Sequence, residues 1–158
     1  MRSFAAVTVA CLALLTPEFT VADESKEVPH PTLPTGAGAI AADAPKTFTK
    51  TGSGLQYRVL RTGAGAKPKA SNRVKVNYHG WLDNASVFDS SYKRNEPIEF
   101  PLNGVIPGWT EGMQLVGEGG MIDLLIPSDL GYGPRGTPGG PIPPNATLHF
   151  LVELLEVK

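Results

Sequence analysis

Cysteine and histidine, which carry much of the metal and nucleophilic chemistry of proteins, are scarce in this sequence. There is one cysteine, Cys11, and the three histidines, His30, His79 and His149, are far apart. None of them has the spacing of a metal-binding motif, and Gly-x-Ser-x-Gly, His-Glu-x-x-His and P-loop patterns are missing as well. The residues therefore offer no visible machinery for covalent or metal-dependent catalysis, and we expect neither a metal nor a cofactor.

An excess of charge of either sign is missing too. The 14 Lys and Arg residues against 15 Asp and Glu residues give a net charge of −1, and the basic residues are scattered along the chain. Because a nucleic-acid-binding face needs clustered basic residues, we exclude nucleic acid as a partner. Glu96 and Glu99 lie on a predicted strand, where an odd separation sends them to opposite faces. This disfavours a hydrolase with paired carboxylates.

The sequence also has no N-terminal apolar run long enough to span a membrane. The run from Phe4 to Leu15 is much shorter than the roughly 20 residues that a spanning helix needs. A basic residue precedes this run, and Pro17 and the small residues Thr20 and Ala22 follow it. We therefore predict that residues 1–22 are a secretory signal that is cleaved near Ala22.

Cleavage of this signal would remove Cys11 and leave a chain without a thiol or a disulfide. A lipid anchor on Cys11 is the weaker alternative, because the residues before it, 7–10, lack the usual leucine. We expect an exported protein without stable membrane insertion of the mature chain. The periplasm is the preferred compartment, and secretion is the alternative.

Aromatic residues are absent from residues 23–46, where Pro29, Pro31, Pro34 and Pro45 alternate with small residues. A segment of this composition buries too little apolar surface to offset the entropy lost on ordering. We therefore predict a flexible tether over residues 23–46 and a single folded domain over residues 47–158.

Within residues 47–158, short alternating segments separated by glycine and proline predict β-strands. The only convincing helix runs from Pro107 to Val116, with Trp109 and Met113 at helical spacing. This combination predicts an α+β fold, with four to five antiparallel strands wrapped around one short helix. The loop from Ser128 to Pro144 is long for a compact domain, and loops of that length are usually functional. The strands are predicted at 55–60, 73–82, 96–102, 121–127 and 147–157.

Five segments of this domain form a recognisable set. They are Val-Asn-Tyr-His-Gly-Trp-Leu at 76–82, Val-Phe-Asp-Ser-Ser at 87–91, Gly-Val-Ile-Pro-Gly-Trp-Thr-Glu-Gly-Met at 104–113, Leu-Gly-Tyr-Gly at 130–133 and Ile-Pro-Pro-Asn-Ala-Thr-Leu at 142–148. These segments resemble the FKBP-type peptidyl-prolyl cis-trans isomerases, occur in the order expected for that family and span nearly all of residues 54–158. The resemblance implies a twisted antiparallel sheet around one helix and an isomerase that binds X–Pro segments of unfolded or exported proteins. It also implies tacrolimus-like or rapamycin-like macrolides as candidate ligands.

The same resemblance implies the residues of a shallow apolar pocket. Four would act directly on the substrate: Asp89, Ile106, Trp109 and Tyr132. Six would line or support the binding site: Tyr78, Phe88, Arg94, Val105, Ile142 and Phe150. Differences from the common family pattern at Ile98, Thr137 and residues 139–141 bear on substrate preference and drug affinity more than on activity.

Two other functions are compatible with aromatic residues spread over separate segments. One is a secreted chaperone or peptide-binding module that uses the same pocket with little turnover. The other is a carbohydrate-binding module with exposed aromatic side chains, which predicts quenching of Trp81 or Trp109 by sugars. An isomerase assay distinguishes both alternatives from the enzyme.

Overall fold

The computed structural model describes residues 26–158, and the predicted signal lies outside them. An antiparallel sheet of seven strands forms the domain, in the order β1-β2-β6-β7-β3-β4, with β5 paired to β3. The strands are β1 (Thr49–Lys50), β2 (Gln56–Arg61), β3 (Arg73–Leu82), β4 (Val87–Ser90), β5 (Ile98–Pro101), β6 (Met121–Ile126) and β7 (Leu148–Val157). The α-helices are α1 (Ser91–Arg94) and α2 (Pro107–Met113), and 3₁₀ turns cover Leu102–Gly104, Ser128–Leu130 and Gly133–Arg135.

Strand β3, which pairs with β7 in the middle of the sheet, has a strict two-residue period of burial. On β3, Val74, Val76 and Tyr78 are buried, whereas the residues between them are partly exposed. The two strands pair along most of their length, with Tyr78 opposite Val152. Because alternate side chains share a face, one face of the sheet becomes the main core, and we call it the front face.

Helix α2 lies against the front face. Pro107 occupies its first turn, where the missing N–H costs nothing. Gly108 allows close approach to β6, since a Cβ there would lie 2.5 Å from Ile126 Cγ2. The helix ends at Met113, three residues before the predicted end at Val116, but both side chains are buried as their spacing predicted.

The α+β fold class is confirmed, although the sheet has more strands than the four to five predicted. The two additional strands are β1 and β4, which contain two and four residues. Runs this short give almost no periodic signal in the sequence. The single turn of α1 was missed for the same reason.

The segment before the domain differs from the flexible tether expected. The described part of it, residues 26–46, lies along the face of the sheet opposite α2, which we call the back face, and we call this segment the arm. Leu33, Ile40 and Ala44 pack there against a small buried cluster of Leu60, Met121 and Leu151. Composition could not reveal this, because the apolar surface covered by the arm belongs to strands distant in sequence. None of the described helices is both long and apolar enough to cross a membrane.

Candidate active site

A cavity of about 710 Å³ opens between α2, the front face and the loop after β6. It brings together residues from six separate segments, and nine of the ten predicted site residues line it. The tenth, Arg94, supports the wall from behind. The nine lining residues are Tyr78, Phe88, Asp89, Val105, Ile106, Trp109, Tyr132, Ile142 and Phe150.

The floor of this cavity is aromatic. Trp109 is only 5 % exposed, and its ring meets Tyr78 and Phe150 edge to face, with centroids 5.5 and 5.1 Å apart. Phe88 meets Phe150 in the same way at 5.3 Å. These rings can approach because residue 80 is glycine, where a Cβ would lie 2.6 Å from the Phe88 ring. Edge-to-face packing is a favourable arrangement of aromatic rings, so the four side chains form one continuous floor.

The turn into α2 places Trp109 and one backbone donor. The Trp109 N–H donates to the Ile106 carbonyl at 3.0 Å, and the Thr110 hydroxyl donates to the Leu102 carbonyl at 2.7 Å. Among residues 26–158, no hydrogen bond uses the Ile106 N–H. Ile106 is itself one of the residues that line the cavity.

The polar wall of the cavity is built around Asp89. The Tyr78 hydroxyl and the Arg94 guanidinium both donate to its carboxylate, as does the Ser90 N–H at 2.8 Å. Burial opposes ionisation, but these hydrogen bonds outweigh it and hold the pKa of Asp89 below its usual range. Burial, and then the hydrogen bond to Asp89, raises the pKa of Tyr78. Asp89 is therefore ionised and already accepts hydrogen bonds from three donors, so it is not a free base.

Helix α1 supplies Arg94 to this wall. Arg94 Nη2 donates to the Tyr78 hydroxyl at 2.9 Å. The helix is held to β3 by Ser91, whose fully buried Oγ accepts from the Tyr78 N–H at 2.8 Å. Sequence reasoning missed Ser91. The one signal of α1 in the sequence was Asn95, which ends the helix with a φ of 52°. Asn is among the residues that tolerate this left-handed conformation, so it is common just after a helix.

The loop after β6 forms the rim of the cavity. Tyr132 is 43 % exposed, so its hydroxyl is accessible to a ligand. The loop is closed on itself, because the Thr137 N–H donates to the Ile142 carbonyl at 2.9 Å and the Ile142 N–H donates to Thr137 Oγ1 at 3.1 Å. These hydrogen bonds, together with prolines that restrict the backbone, hold the long loop in one conformation.

With this geometry established, comparison with known proteins decides the family. The family model described as FKBP-type peptidyl-prolyl cis-trans isomerase matches residues 64–155. The chain belongs to this family. It is 56 % identical over 113 residues to FKBP-type peptidyl-prolyl cis-trans isomerase FkpA of Escherichia coli, a match that covers 72 % of this chain and 41 % of the relative. It is 49 % identical over 106 residues to Outer membrane protein MIP of Legionella longbeachae, covering 67 % of this chain and 45 % of the relative.

Solved structures of FKBP-type proteins have the same fold. The crystal structure of FkpA from Escherichia coli superposes with a TM-score of 0.68 at 52 % identity, over 70 % of this chain and 51 % of that one. The crystal structure of AtFKBP13 superposes with a TM-score of 0.66 at 35 % identity, over 70 % of this chain and 98 % of that one. The chain spans about half the length of the curated relatives it matches.

The FKBP-type pocket of this chain includes five further lining residues. Phe100 packs against Trp109 with ring centroids 5.5 Å apart, and it shares one face of β5 with Ile98, as their spacing on the predicted strand indicated. In residues 26–158 there is no cluster of three or more His, Cys, Asp or Glu side chains that could hold a metal ion. The five further residues are Ile98, Phe100, Gly104, Thr137 and Pro141.

Proposed function

We propose that this FKBP-type chain is a peptidyl-prolyl cis-trans isomerase that accelerates rotation of X–Pro bonds in exported polypeptides and so assists their folding. The observation that carries the proposal is the composition of the pocket. It has an aromatic floor, an unused backbone donor at Ile106 and a carboxylate, Asp89, that already accepts three hydrogen bonds. Such a pocket can bind and orient an amide but has no group ready for proton transfer.

Isomerisation of an X–Pro amide needs no bond to break. The cis and trans forms are nearly equal in free energy, but a barrier of about 18–20 kcal/mol separates them. At the top of the barrier the amide is twisted, conjugation is lost and the carbonyl oxygen carries less negative charge than in the planar form. An apolar site that displaces water therefore disfavours the planar ground states more than the twisted state.

The roles of the pocket residues follow from their positions. Trp109 would seat the proline ring, and the Ile106 N–H and the Tyr132 hydroxyl would each hold a peptide carbonyl. Asp89, supported by Arg94, would orient the twisted amide electrostatically. These contacts favour the twisted geometry over the planar one, which is differential binding of the transition state.

The free energy required is modest. An acceleration of about 10⁴- to 10⁵-fold corresponds to roughly 5.5–7 kcal/mol of transition-state stabilisation. Two hydrogen bonds of about 1 kcal/mol each, together with burial of a proline ring and its neighbour, supply most of this amount. No cofactor is needed for such a mechanism.

A conformer-specific assay on a proline tetrapeptide, with and without tacrolimus, tests the proposal. Catalysed exchange that tacrolimus inhibits would support both the activity and the pocket. A folded protein that leaves the uncatalysed rate unchanged, yet suppresses aggregation of an unfolded client, would favour the chaperone alternative instead. Quenching of Trp109 fluorescence by sugars in an inactive protein would favour the carbohydrate-binding alternative.

Asp89→Val is expected to reduce kcat/KM for such a peptide by about tenfold, because a charge-assisted acceptor in the polar wall is lost. Tyr132→Phe removes one neutral hydroxyl and is expected to cost only about two- to fivefold. Glu99→Val, which removes an ion-paired carboxylate outside the pocket, is the matched control. An unchanged rate for correctly folded Asp89→Val would remove Asp89 from the site.

We expect kcat/KM to be flat between about pH 5.5 and pH 8.5, a range that lies between the ordinary pKa values of Asp and Tyr. Hydrogen bonding lowers the pKa of Asp89, and burial raises that of Tyr78, so neither group changes protonation in this range. Nuclear magnetic resonance exchange spectroscopy measures the rate without a pH-sensitive coupling protease. A bell-shaped profile with both limbs inside the range would instead indicate acid–base catalysis.

Export of the chain rests on the predicted signal over residues 1–22, and one relative carries the name Outer membrane protein MIP. We propose that the protein acts in the periplasm after removal of this segment. Fractionation of expressing cells, with N-terminal sequencing of the product, tests this proposal. A full-length product in the cytoplasmic fraction would contradict it.

A further inference from the structure

The back face of the sheet carries a second group of buried residues, on the side opposite the aromatic pocket. Side chains from β2, β6 and β7 that point away from α2 form an apolar centre flanked by buried charged groups. The arm, residues 26–46, lies across all of them. The centre comprises Leu60, Met121 and Leu151, and the flanking charged residues are Arg58, Asp123 and Glu153.

At one end of the arm, Arg58 binds its backbone. The guanidinium donates from Nη1 to the Val28 carbonyl at 2.6 Å and from Nη2 to the Pro29 carbonyl at 2.8 Å. Asp123 holds the guanidinium in place at 2.8 Å, and the Phe48 ring lies 4.5 Å from it. This arrangement recognises two successive carbonyl groups of an extended chain rather than particular side chains.

In the middle of the arm, Glu153 accepts a hydrogen bond from the arm backbone, whereas Arg58 donates hydrogen bonds to it. The Gly38 N–H donates to Glu153 Oε1 at 2.6 Å, and Arg61 Nη1 donates to the Ala39 carbonyl at 2.9 Å. The Glu153 side chain is only 7 % exposed. Because a buried carboxylate is costly without partners, the Gly38 N–H of the arm and Arg61 Nη2 of the sheet, at 3.5 Å, together satisfy this group.

Apolar side chains of the arm fill the space between these two anchors. Leu33 and Ile40 cover the apolar centre, and the Ala41 N–H donates to the Leu60 carbonyl at 2.9 Å. Pro29, Pro31 and Pro34 restrict the backbone and remove N–H donors, which keeps this part of the arm extended. Grooves lined by aromatic residues are a common way to bind such extended proline-containing segments.

The arm does not fill the whole groove. A cavity of about 360 Å³ remains between Pro29 and Pro31 of the arm and the Trp81 and His149 side chains of the sheet. Trp81 and His149 stack with ring centroids 5.4 Å apart and form a flat apolar wall. The groove is therefore larger at this end than its present occupant.

We propose that the back face is a second peptide-binding site, for extended segments that contain proline and apolar side chains, and that residues 27–44 of this chain occupy it as a releasable ligand. The anchors contact backbone groups, the apolar centre accepts small aliphatic side chains, and the free space beside Trp81 leaves room for bulkier ones. The tethered arm has a high effective concentration, so it occupies the site even if its intrinsic affinity is low.

Hydrogen exchange on the whole protein tests whether the arm is bound and releasable. We expect the Val28, Gly38 and Ala41 amides to exchange more slowly than in a free peptide, but faster than amides of β3 and β7. Arm amides without protection would show that it is not bound. Arm amides as protected as those of β7 would show that it is a permanent part of the fold. Either result would overturn the proposal.

The substitution Gly38→Ala disturbs the contacts that hold the middle of the arm. A Cβ at Gly38 would lie 2.5 Å from Arg61 Nη1 and 2.7 Å from Glu153 Oε1, so these anchoring atoms have to move. We expect about tenfold lower protection of the arm amides, with β3 and β7 unchanged. Gly52→Ala, where a Cβ meets no atom within 4 Å, is the control. Equal protection in both variants would contradict the role of this anchor.

Binding in trans tests the site itself. In a full-length variant with residues 27–44 replaced by a glycine/serine stretch of equal length, a labelled peptide of residues 26–46 is expected to bind saturably. Glu153→Ala in the same variant is expected to weaken binding about tenfold, and a scrambled peptide is expected not to bind. Failure of the arm peptide to bind a variant that keeps the circular dichroism spectrum of the original protein would overturn the proposal.

The proposed isomerase and this site can fail independently. Gly38→Ala leaves every residue of the aromatic pocket unchanged, so the rate on a tetrapeptide is expected to stay within about twofold of the original. Should the glycine/serine variant not fold, the hydrogen-exchange comparison of Gly38→Ala with Gly52→Ala still decides the outcome. Loss of tetrapeptide isomerisation in Gly38→Ala would contradict the independence of the two sites.

Discussion

Trp109→Ala is expected to lower kcat/KM for a proline tetrapeptide by about 30- to 150-fold. The indole is the floor of the pocket, and its removal takes away roughly 2–3 kcal/mol of apolar burial for the substrate, which corresponds to that change in rate. The loss should fall on both kcat and KM, because the floor would hold the proline ring in the planar and twisted states and would favour the twisted one. The conformer-specific assay on the purified variant measures both constants.

The same substitution should destabilise the fold. Trp109 is 5 % exposed and contacts three other aromatic rings, so truncation leaves a cavity at their junction. A change of this kind typically costs about 3–5 kcal/mol of unfolding free energy. Urea titration gives this value, and the kinetic assay should be run only at a temperature where the variant remains folded. Trp109→Leu keeps part of the buried volume. Relative to Trp109→Ala, it should restore more of the stability than of the activity.

Trp81→Ala is the internal control, because the chain has two tryptophans on opposite faces of the sheet. Trp81 stacks on His149 at the back face and does not line the pocket. Its loss should change intrinsic fluorescence and reduce stability while leaving kcat/KM within about twofold of the original value. Equal losses of activity in the two variants would show that Trp109 acts only through stability.

The aromatic pocket could be predicted from the sequence because most of its predicted residues lie in five recognisable segments. The segment at 76–82 also gives a clear periodic signal, since Val76 and Tyr78 share the buried face of β3 with Val74. The assignment of individual side chains came from the family resemblance, since a buried aromatic residue taken alone is indistinguishable from ordinary core. What the structure adds is the closed hydrogen-bond arrangement of Tyr78, Asp89 and Arg94.

Two features could not be predicted, for different physical reasons. Helix α1 is one turn long, and a turn of that length is stabilised by tertiary contacts such as that of Ser91 with β3 rather than by propensity. The arm has a composition typical of a disordered segment. Its order depends on Arg58 and Glu153, whose pairing with the arm backbone has no local signature in the sequence.

Arg58→Met is expected to destabilise the protein by about 3–5 kcal/mol, the range typical for breaking a buried ion pair. Arg58 and Asp123 have side-chain exposures of 2 % and 4 %, so the remaining carboxylate cannot recover its hydration. Urea titration measures the loss. Arg73→Met is the matched control, because it breaks an ion pair with Glu99 in which the Arg73 side chain is 51 % exposed. This substitution should cost less than about 1 kcal/mol.

The effect of pH identifies the unpaired carboxylate as the cause of this loss. Burial already raises the pKa of Asp123, and the attraction and hydrogen bond of Arg58 are the largest effects that oppose it, ahead of the attraction of His149 and His30. Without Arg58 that pKa rises further, so the folded state of the variant binds a proton that the unfolded state releases. Stability of Arg58→Met should therefore increase as pH falls from 7 towards 5, a change that the original protein should show only weakly.

Asp123→Leu in the Arg58→Met background separates this electrostatic cost from the loss of the arm contacts. The double variant removes the buried charge, so it should be more stable than Arg58→Met alone and should no longer gain stability at lower pH. Arm amides should still exchange faster than in the original protein, because the Val28 and Pro29 carbonyls have lost their donor. If the double variant were no more stable than Arg58→Met, the cost would come from the arm contacts and not from the unpaired carboxylate.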